Sequence, residues 1–248
     1  MLPASMILPE MSVNRPLLLR RVGRPASPPA QASATPAPSP WRNRRKARSD
    51  RGIKREAVIR AAARAFNARG FHNTTLDVIA GALEVTKPTL YYYVENKEQL
   101  LFECFRAGLE PIRAAIRAAV GEADGQAGTG TLQARARLRA VLLHYAQAIA
   151  SEFGWCMVRA EDQDLGAAMQ RHVKALKSEI DQGIRQLIRE GIADGSIGSC
   201  DPKMTSFALA GALNWIAHWY RDDQSLSARQ IAERFVSLFE DGLRPRSG

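Results

Sequence analysis

From residue 97 onward, apolar residues recur every third or fourth position, and no segment alternates apolar with polar long enough to make a strand. Leu138, Val141, Leu142, Tyr145, Ile149 and Phe153 mark one amphipathic helix over 132–153, broken by Gly154 ahead of a short turn at 155–159. Met169, Val173, Leu176, Ile180, Ile184, Leu187 and Ile188 mark a longer helix over 165–192, closed by Gly191 and Gly195. Ahead of these, 97–108 reads as a helix, Pro111 starts or kinks another that reaches about Val120, and the glycine-rich stretch 121–130 reads as a loop. Two further helices are expected over about 203–220 and 228–242, with Ser227 and Gln230 as a capping box for the last. The pattern is that of an all-α chain.

Residues 74–100, TTLDVIAGALEVTKPTLYYYVENKEQL, carry a different rhythm: a helix, a tight turn, a second short helix and the start of a third. Thr74 or Thr75 can N-cap the first, with Asp77 suited to the positive end of its dipole. Thr86 can cap the second, where Pro88 in the first turn costs little because the N–H it lacks would have no helical partner. Asn96 with Gln99 resembles a capping box for the third. Val78, Ile79, Leu83, Val85 and Leu90 supply a small apolar core, which leaves Thr86, Lys87, Thr89, Tyr91, Tyr92 and Tyr93 in a short polar and aromatic helix. Three consecutive helical positions point about 100° apart, so the tyrosines cannot all be core. A short helix with so little apolar surface is suited to reading a DNA groove. Lys87 can reach a phosphate or a guanine edge, and Thr89 and Tyr92 can meet bases or thymine methyls. Thr75, Tyr91, Tyr93 and Lys97 are expected to grip phosphates and fix register.

The charge is distributed unevenly. The 248 residues carry a formal net charge of +10, yet residues 1–55 hold twelve Lys/Arg against two acids, while the rest hold 23 of each. All the excess positive charge therefore lies before or at the start of the first helix, as in an arm that attracts phosphates beside the reading unit. Residues 1–49 are rich in Pro, Ala, Ser and Arg and read as disordered, with an extended linker over 26–40 and a basic cluster that includes Arg44, Arg45 and Lys46. Arms beside recognition domains reach into the minor groove, which puts these three among the candidate DNA contacts. A solvated tail, or a start codon assigned too far upstream, stays open as the other reading of 1–49.

The segment from about Arg51 to Leu101 resembles the DNA-binding domain of TetR-family transcriptional regulators. The residues that carry the likeness are Ile59, Ala62, Ala63, Phe66, Gly70, Phe71, Thr74, Thr75, Ile79, Ala80, Val85, Thr86, Lys87, Thr89, Leu90, Tyr91, Asn96, Lys97 and Glu98. Two positions depart from the family pattern: Leu83–Glu84 stands where a small residue and Gly are common in the turn, and Val94 where Phe is common. The resemblance implies a three-helix helix-turn-helix domain over 50–100, followed by a helical ligand-binding and dimerisation domain over 101–243. It also implies that effector binding shifts the connecting helix and changes the spacing of two recognition helices.

On the helix over 203–220, Ala208, Gly211, Ala212, Trp215 and Trp219 form one stripe, and Phe207, Ala210, Leu213 and Ile216 a second, so it must be covered on more than one side. The last two helices are expected to meet their copies across a two-fold axis, which makes the protein a homodimer on palindromic double-stranded DNA. Candidate effector contacts are Phe105, Tyr145, Phe153, Trp155, Met169, Asn214, Trp215 and His218, of which Asn214 stands out because a polar group on an apolar stripe needs a partner. The stretch from Phe207 to Phe235 resembles the C-terminus of TetR relatives that answer to acyl-CoA or lipid-derived effectors. Where those relatives carry an arginine near the Trp-Tyr pair, this chain has His218 before Trp219–Tyr220 and Arg221 after.

Other classes are not supported. There is no HExxH, CxxC, nucleophile elbow or phosphate-cradling glycine loop, so an enzyme is not expected, nor a cofactor or metal. The acidic run Glu161–Asp164 lacks a histidine or spaced carboxylates and reads as a solvated loop or helix start. Cys104, Cys156 and Cys200 lack metal-ligand spacing, and a reduced, cytoplasmic protein without a membrane span is expected. A nonspecific architectural DNA binder driven by the basic arm is the remaining alternative.

Overall fold

Local caps set the first boundaries of the fold. The computed structural model describes residues 50–125, 133–220 and 226–243. Among them, α1 (Asp50–Arg69), α2 (Leu76–Ala82) and α3 (Lys87–Tyr91) precede the long α4 (Lys97–Gly125). Then come α5 (Ala134–Ile149), α6 (Glu152–Arg159), a 3₁₀ turn (Asp162–Asp164), α7 (Ala167–Ala193), α8 (Pro202–Trp219) and α9 (Ala228–Leu243). The described residues adopt the expected all-α architecture. The proposed arm, with Arg44, Arg45 and Lys46, lies outside the described residues.

The caps stand at the expected places, with refinements at Thr74, at the Asn96 box and at Thr86, whose side chain caps no backbone N–H. Thr75 caps α2, its side chain accepting from Val78 N at 3.3 Å. Thr74 is instead fully buried, its hydroxyl directed at Gly70 O (2.8 Å) and Ala65 O (3.2 Å), which pins the α1–α2 turn to α1. Asn96 Oδ1 accepts from Gln99 N at 2.7 Å, and Gln99 Oε1 accepts from Glu95 N at 2.6 Å, a capping box displaced by one residue. Ser227 and Gln230 form the box expected for α9.

Several boundaries differ from the sequence reading. Of the two readings of Pro111, a helix start is not what forms: Pro111 lies inside α4, which also runs through Gly125 into the stretch expected as a loop. The proline sits on the exposed face, where its missing N–H and its ring meet water, while Leu109, Ile112, Ile116 and Ala119 bury the other face and hold the helix together. The break expected at Gly154 occurs at Ala150–Ser151, so Phe153 belongs to α6. Gly154 is there for close approach: a Cβ on it would sit 2.5 Å from Ile149 Cα and 2.6 Å from Ile149 O. Gly191 likewise lies within α7, against Ile197, and the helix ends at Asp194 before Gly195 at φ +74°.

α4 is the spine. It packs on α1 near its start and on α5, α6 and α7 along its length, with Leu100, Leu101, Cys104, Phe105 and Ile112 fully buried. α8 lies on α5, α6 and α7, and α9 lies on α5. Polar ties close the body. Arg137 is buried between α4 and α7, donating to Ala119 O at 2.9 Å and pairing with Glu190 at 2.8 Å. Asp194 accepts from Ala134 N at 2.9 Å and so holds the start of α5 against the end of α7.

Candidate nucleic-acid interface

The short α3 presents its polar side outward because a single residue, Leu90, anchors it in the core. Thr86 stands at its N-cap with extended backbone, but its hydroxyl meets Thr89 Oγ1 at 2.9 Å rather than a backbone N–H. Of the three tyrosines, Tyr91 is 53% exposed and Tyr92 76%, while Tyr93 is half-buried against the core. Thr75, Thr86 and Lys87 are exposed, and Thr89 is half-buried. Together they form one continuous polar and aromatic outer surface on α2 and α3.

Electrostatics refine that surface. Lys87 Nζ lies 2.9 Å from Asp77 Oδ2, and this hydrogen bond holds the ammonium above its ordinary range. Lys97 has a local partner as well. Its ammonium donates to Phe71 O at 2.9 Å and sits 4.3 Å from the Phe71 ring centroid, so it braces the α1–α2 turn. Glu84, in the turn between α2 and α3, has φ 56°, the left-handed conformation that glycine takes most readily.

A second group of residues joins this unit to the body. Glu103 on α4 pairs with Arg55 at 2.8 Å, and Glu152 at the start of α6 takes both Arg60 and Arg64. His72 Nε2 lies 2.9 Å from Asp164 Oδ1, and Glu98 accepts from Gly166 N. Two members of the acidic run thereby have partners, Asp164 in His72 and Asp162 in an ion pair with Lys177 at 2.7 Å. Sequence reasoning passed over Glu103 and Glu152, because their arginine partners lie far away along the chain. A cleft of about 190 Å³ opens at the same junction, lined by Phe66, Asn67, Gly70, Phe71, Cys156, Arg159 and Ala160. Cys104 is buried beside Cys156, and burial pushes its thiol well above the ordinary range, so it is a poor nucleophile.

The candidate effector residues separate into three groups. Tyr145 and Asn214 meet, the phenol donating to Asn214 Oδ1 at 3.2 Å, and burial pushes the Tyr145 hydroxyl up to about 12. Phe105 is fully buried in the core on α4, and Met169 is half-buried on α7. Phe153 faces the domain junction, with the Arg60 guanidinium 5.2 Å from its ring, and Trp155 packs edge-on to Tyr220. Trp215 and His218 do not line the interior. Their rings meet at a tilt of 35°, centroids 4.8 Å apart, on the outer face of α8, with Trp215 58% exposed. The reason is helical phase: Leu209, Leu213, Ile216 and Ala217 take the inward face, which turns Trp215 and His218 out. Phe207 is exposed too, so its expected stripe is divided. Arg221 lies outside the described residues.

Comparison with known proteins agrees with this layout. Residues 58–104 match the model described as "Bacterial regulatory proteins, tetR family", and residues 131–243 match "Tetracyclin repressor-like, C-terminal domain". The two models together span well over half of the chain.

The chain belongs to the TetR family.

It is a DNA-binding transcriptional regulator, with the family's helix-turn-helix unit ahead of a helical domain. Among curated proteins it is similar to the HTH-type transcriptional repressor KstR2 of Rhodococcus jostii, 26% identical over 198 residues, which cover 79% of this chain and 93% of that protein. Among solved structures it is similar to AibR in complex with isovaleryl coenzyme A and operator DNA: TM-score 0.63, 25% identity, 78% of this chain and 99% of that one. KstR2 of Mycobacterium tuberculosis shares the fold, with a TM-score of 0.68, 20% identity, and coverage of 81% of this chain and 98% of that one. Neither matching family model describes an enzyme, and no helix among the described residues is long and apolar enough to cross a membrane.

Proposed function

We propose that the protein is a homodimeric repressor that binds a palindromic operator and is controlled by a small hydrophobic effector of acyl-CoA or other lipid-derived type. The observation that carries this reading is the outward surface of α3, where Lys87, Tyr91 and Tyr92 stand exposed around a single buried anchor, Leu90. Thr75, Thr86, Lys87, Thr89, Tyr91 and Tyr92 are the proposed DNA contacts, and Tyr93 reaches a phosphate from the edge of the helix. Lys97 positions the turn and is a further proposed phosphate contact. Residues 50–100 are the reading unit, 101–243 the regulatory body, and the basic stretch of 1–49, with Arg44, Arg45 and Lys46, adds sequence-independent attraction.

One such helix reads few base pairs, so two half-sites are needed for specificity. The exposed apolar residues of α8 and α9, among them Trp215, Trp219 and Leu238, support a paired copy as their cover. The effector class is supported by the isovaleryl coenzyme A bound to AibR and by the partly buried Tyr145–Asn214 pair, which offers polar anchors beside apolar residues.

Selection from random DNA duplexes followed by footprinting tests the proposal. A discrete inverted repeat is expected, released on addition of one or more of a panel of acyl-CoAs. Salt-sensitive binding without a footprint would establish the architectural alternative, and release only by a compound unrelated to lipids would overturn the effector class.

A further inference from the structure

We infer that Glu152 is a positioning residue: from the first turn of α6 it fixes the reading unit to the helical body and thereby sets the separation of the two recognition helices. The inference rests on the dimeric reading proposed above. Its basis is a set of contacts made by one side of α1. Arg60, Arg64 and Asn67 lie at spacings of four and three residues, which places them on a single helix face. All three converge on residue 152. Arg60 Nη1 bonds Glu152 Oε1, Arg64 Nε donates to Glu152 Oε2 at 2.6 Å, and Asn67 Nδ2 donates to the Glu152 carbonyl at 2.8 Å. The Arg60 guanidinium also covers the ring of the next residue, Phe153.

An isolated surface ion pair holds little, because solvent screens it and two long side chains lose entropy. Here each carboxylate oxygen takes a different arginine, the Glu152 side chain is only 17% exposed, and it lies at the positive end of the α6 dipole. The start of α6 is itself immobilised. Ser151 caps it through Gly154 N at 3.1 Å, and Gly154 lies against the end of α5 too closely for any side chain. Gly108 on α4 supports it from the other side, where a Cβ would stand 3.1 Å from Phe153 O. The far end of α6 is tied to α8, with Arg159 Nη2 donating to Ala217 O at 2.7 Å. α6 is thus a strut of about 12 Å between α8 and α1, with Glu152 as the pin at its DNA end. α8 carries the apolar face proposed to meet the partner. A displacement at that face or at α5 therefore reaches α1 through Glu152, alongside the route through α4.

The test compares full-length wild type and Glu152→Gln by selection from a random duplex pool, with urea unfolding as a control for the fold. Wild type is expected to enrich an inverted repeat with one half-site separation. Glu152→Gln is expected to enrich the same half-site sequence at several separations and to bind the wild-type site about tenfold more weakly. Arg64→Gln, which removes half of the clamp, is expected to broaden the separation in the same direction. It serves as the deciding variant if Glu152→Gln does not fold. A single unchanged separation in whichever variants fold overturns the inference and leaves the regulator reading intact. A wild type that enriches no repeat overturns the dimeric reading itself, and the inference with it.

Discussion

Lys87 Nζ and Asp77 Oδ2 stand 2.9 Å apart, joining the recognition helix to the first turn of the helix before it. Both side chains are exposed, so the pair contributes little to folding. With α3 in the groove as proposed above, its effect would fall on DNA: the carboxylate would orient Lys87 and also repel the phosphate backbone. Asp77→Asn is therefore expected to tighten binding to random duplex DNA and to lower the ratio of operator to nonspecific affinity. Lys87→Ala is expected to weaken operator binding by about tenfold to a hundredfold. Fluorescence anisotropy at two salt concentrations checks both, and a steeper salt dependence for Asp77→Asn on random DNA identifies the electrostatic origin.

Glu84 holds φ 56° in the turn that sets the angle between α2 and α3. A left-handed backbone costs a residue with a Cβ about 1–2 kcal/mol, and glycine avoids that cost while losing some chain entropy on folding. Glu84→Gly is expected to stabilise the protein by about 0.5–1 kcal/mol, read as a higher urea midpoint at unchanged m-value. Operator affinity is expected to stay the same, since the turn geometry is already the one glycine would take.

How much of this was legible in the sequence depended on range. Cap chemistry is local, so Asn96 and Ser227 could be assigned, and the first cap narrowed to Thr74 or Thr75, from neighbours within three residues. Glycine and proline misled where their reason lay elsewhere in the fold. Gly154 reads as a breaker but is a contact surface for α5, and Pro111 reads as a start or a kink, while burial on the opposite face of α4 carries the helix through it. Helical spacing grouped Trp215 and Trp219 correctly, yet it could not say which stripe of α8 faces inward; that is decided by α5 and α7. The Glu152 clamp joins positions about ninety residues apart and has no local signature at all.

Gly154 should tolerate no side chain. In Gly154→Ala the new methyl would stand 2.5 Å from Ile149 Cα, and the backbone there cannot rotate away as a flexible side chain could. A loss of about 1–3 kcal/mol is expected from overpacking, measured by urea unfolding. Because Glu152 sits two residues before it, the same variant is expected to lose protection from amide exchange in α1 as well as in α6.

Tyr145 ties stability to alkaline pH. Its buried hydroxyl is held protonated up to about 12, against 10 for the model phenol, so the folded state keeps a proton that the unfolded chain releases first. The stabilisation is complete below pH 10 and is lost as pH rises toward 12, by about 2 kcal/mol over that interval. Tyr145→Phe removes the bond to Asn214 and is expected to be less stable at neutral pH, by about 1 kcal/mol. It lacks the ionisable group, however, so the difference between the two proteins should shrink or reverse between pH 10 and 12, as measured by urea midpoints across that range.

Trp215 and Leu238, 58% and 69% exposed, expose more apolar area on α8 and α9 than a lone surface residue accounts for. Trp219 and Phe235 stack between the two helices with ring centroids 6.4 Å apart, so the surface is continuous from one helix to the other. If a second copy covers it, a charge placed there meets its own symmetry mate across the two-fold axis, and desolvation adds to repulsion. Trp215→Glu with Leu238→Glu is therefore expected to give a folded monomer by light scattering, with helical content preserved and operator affinity reduced. A dimer of undiminished affinity in that variant would move the interface to another face of the molecule.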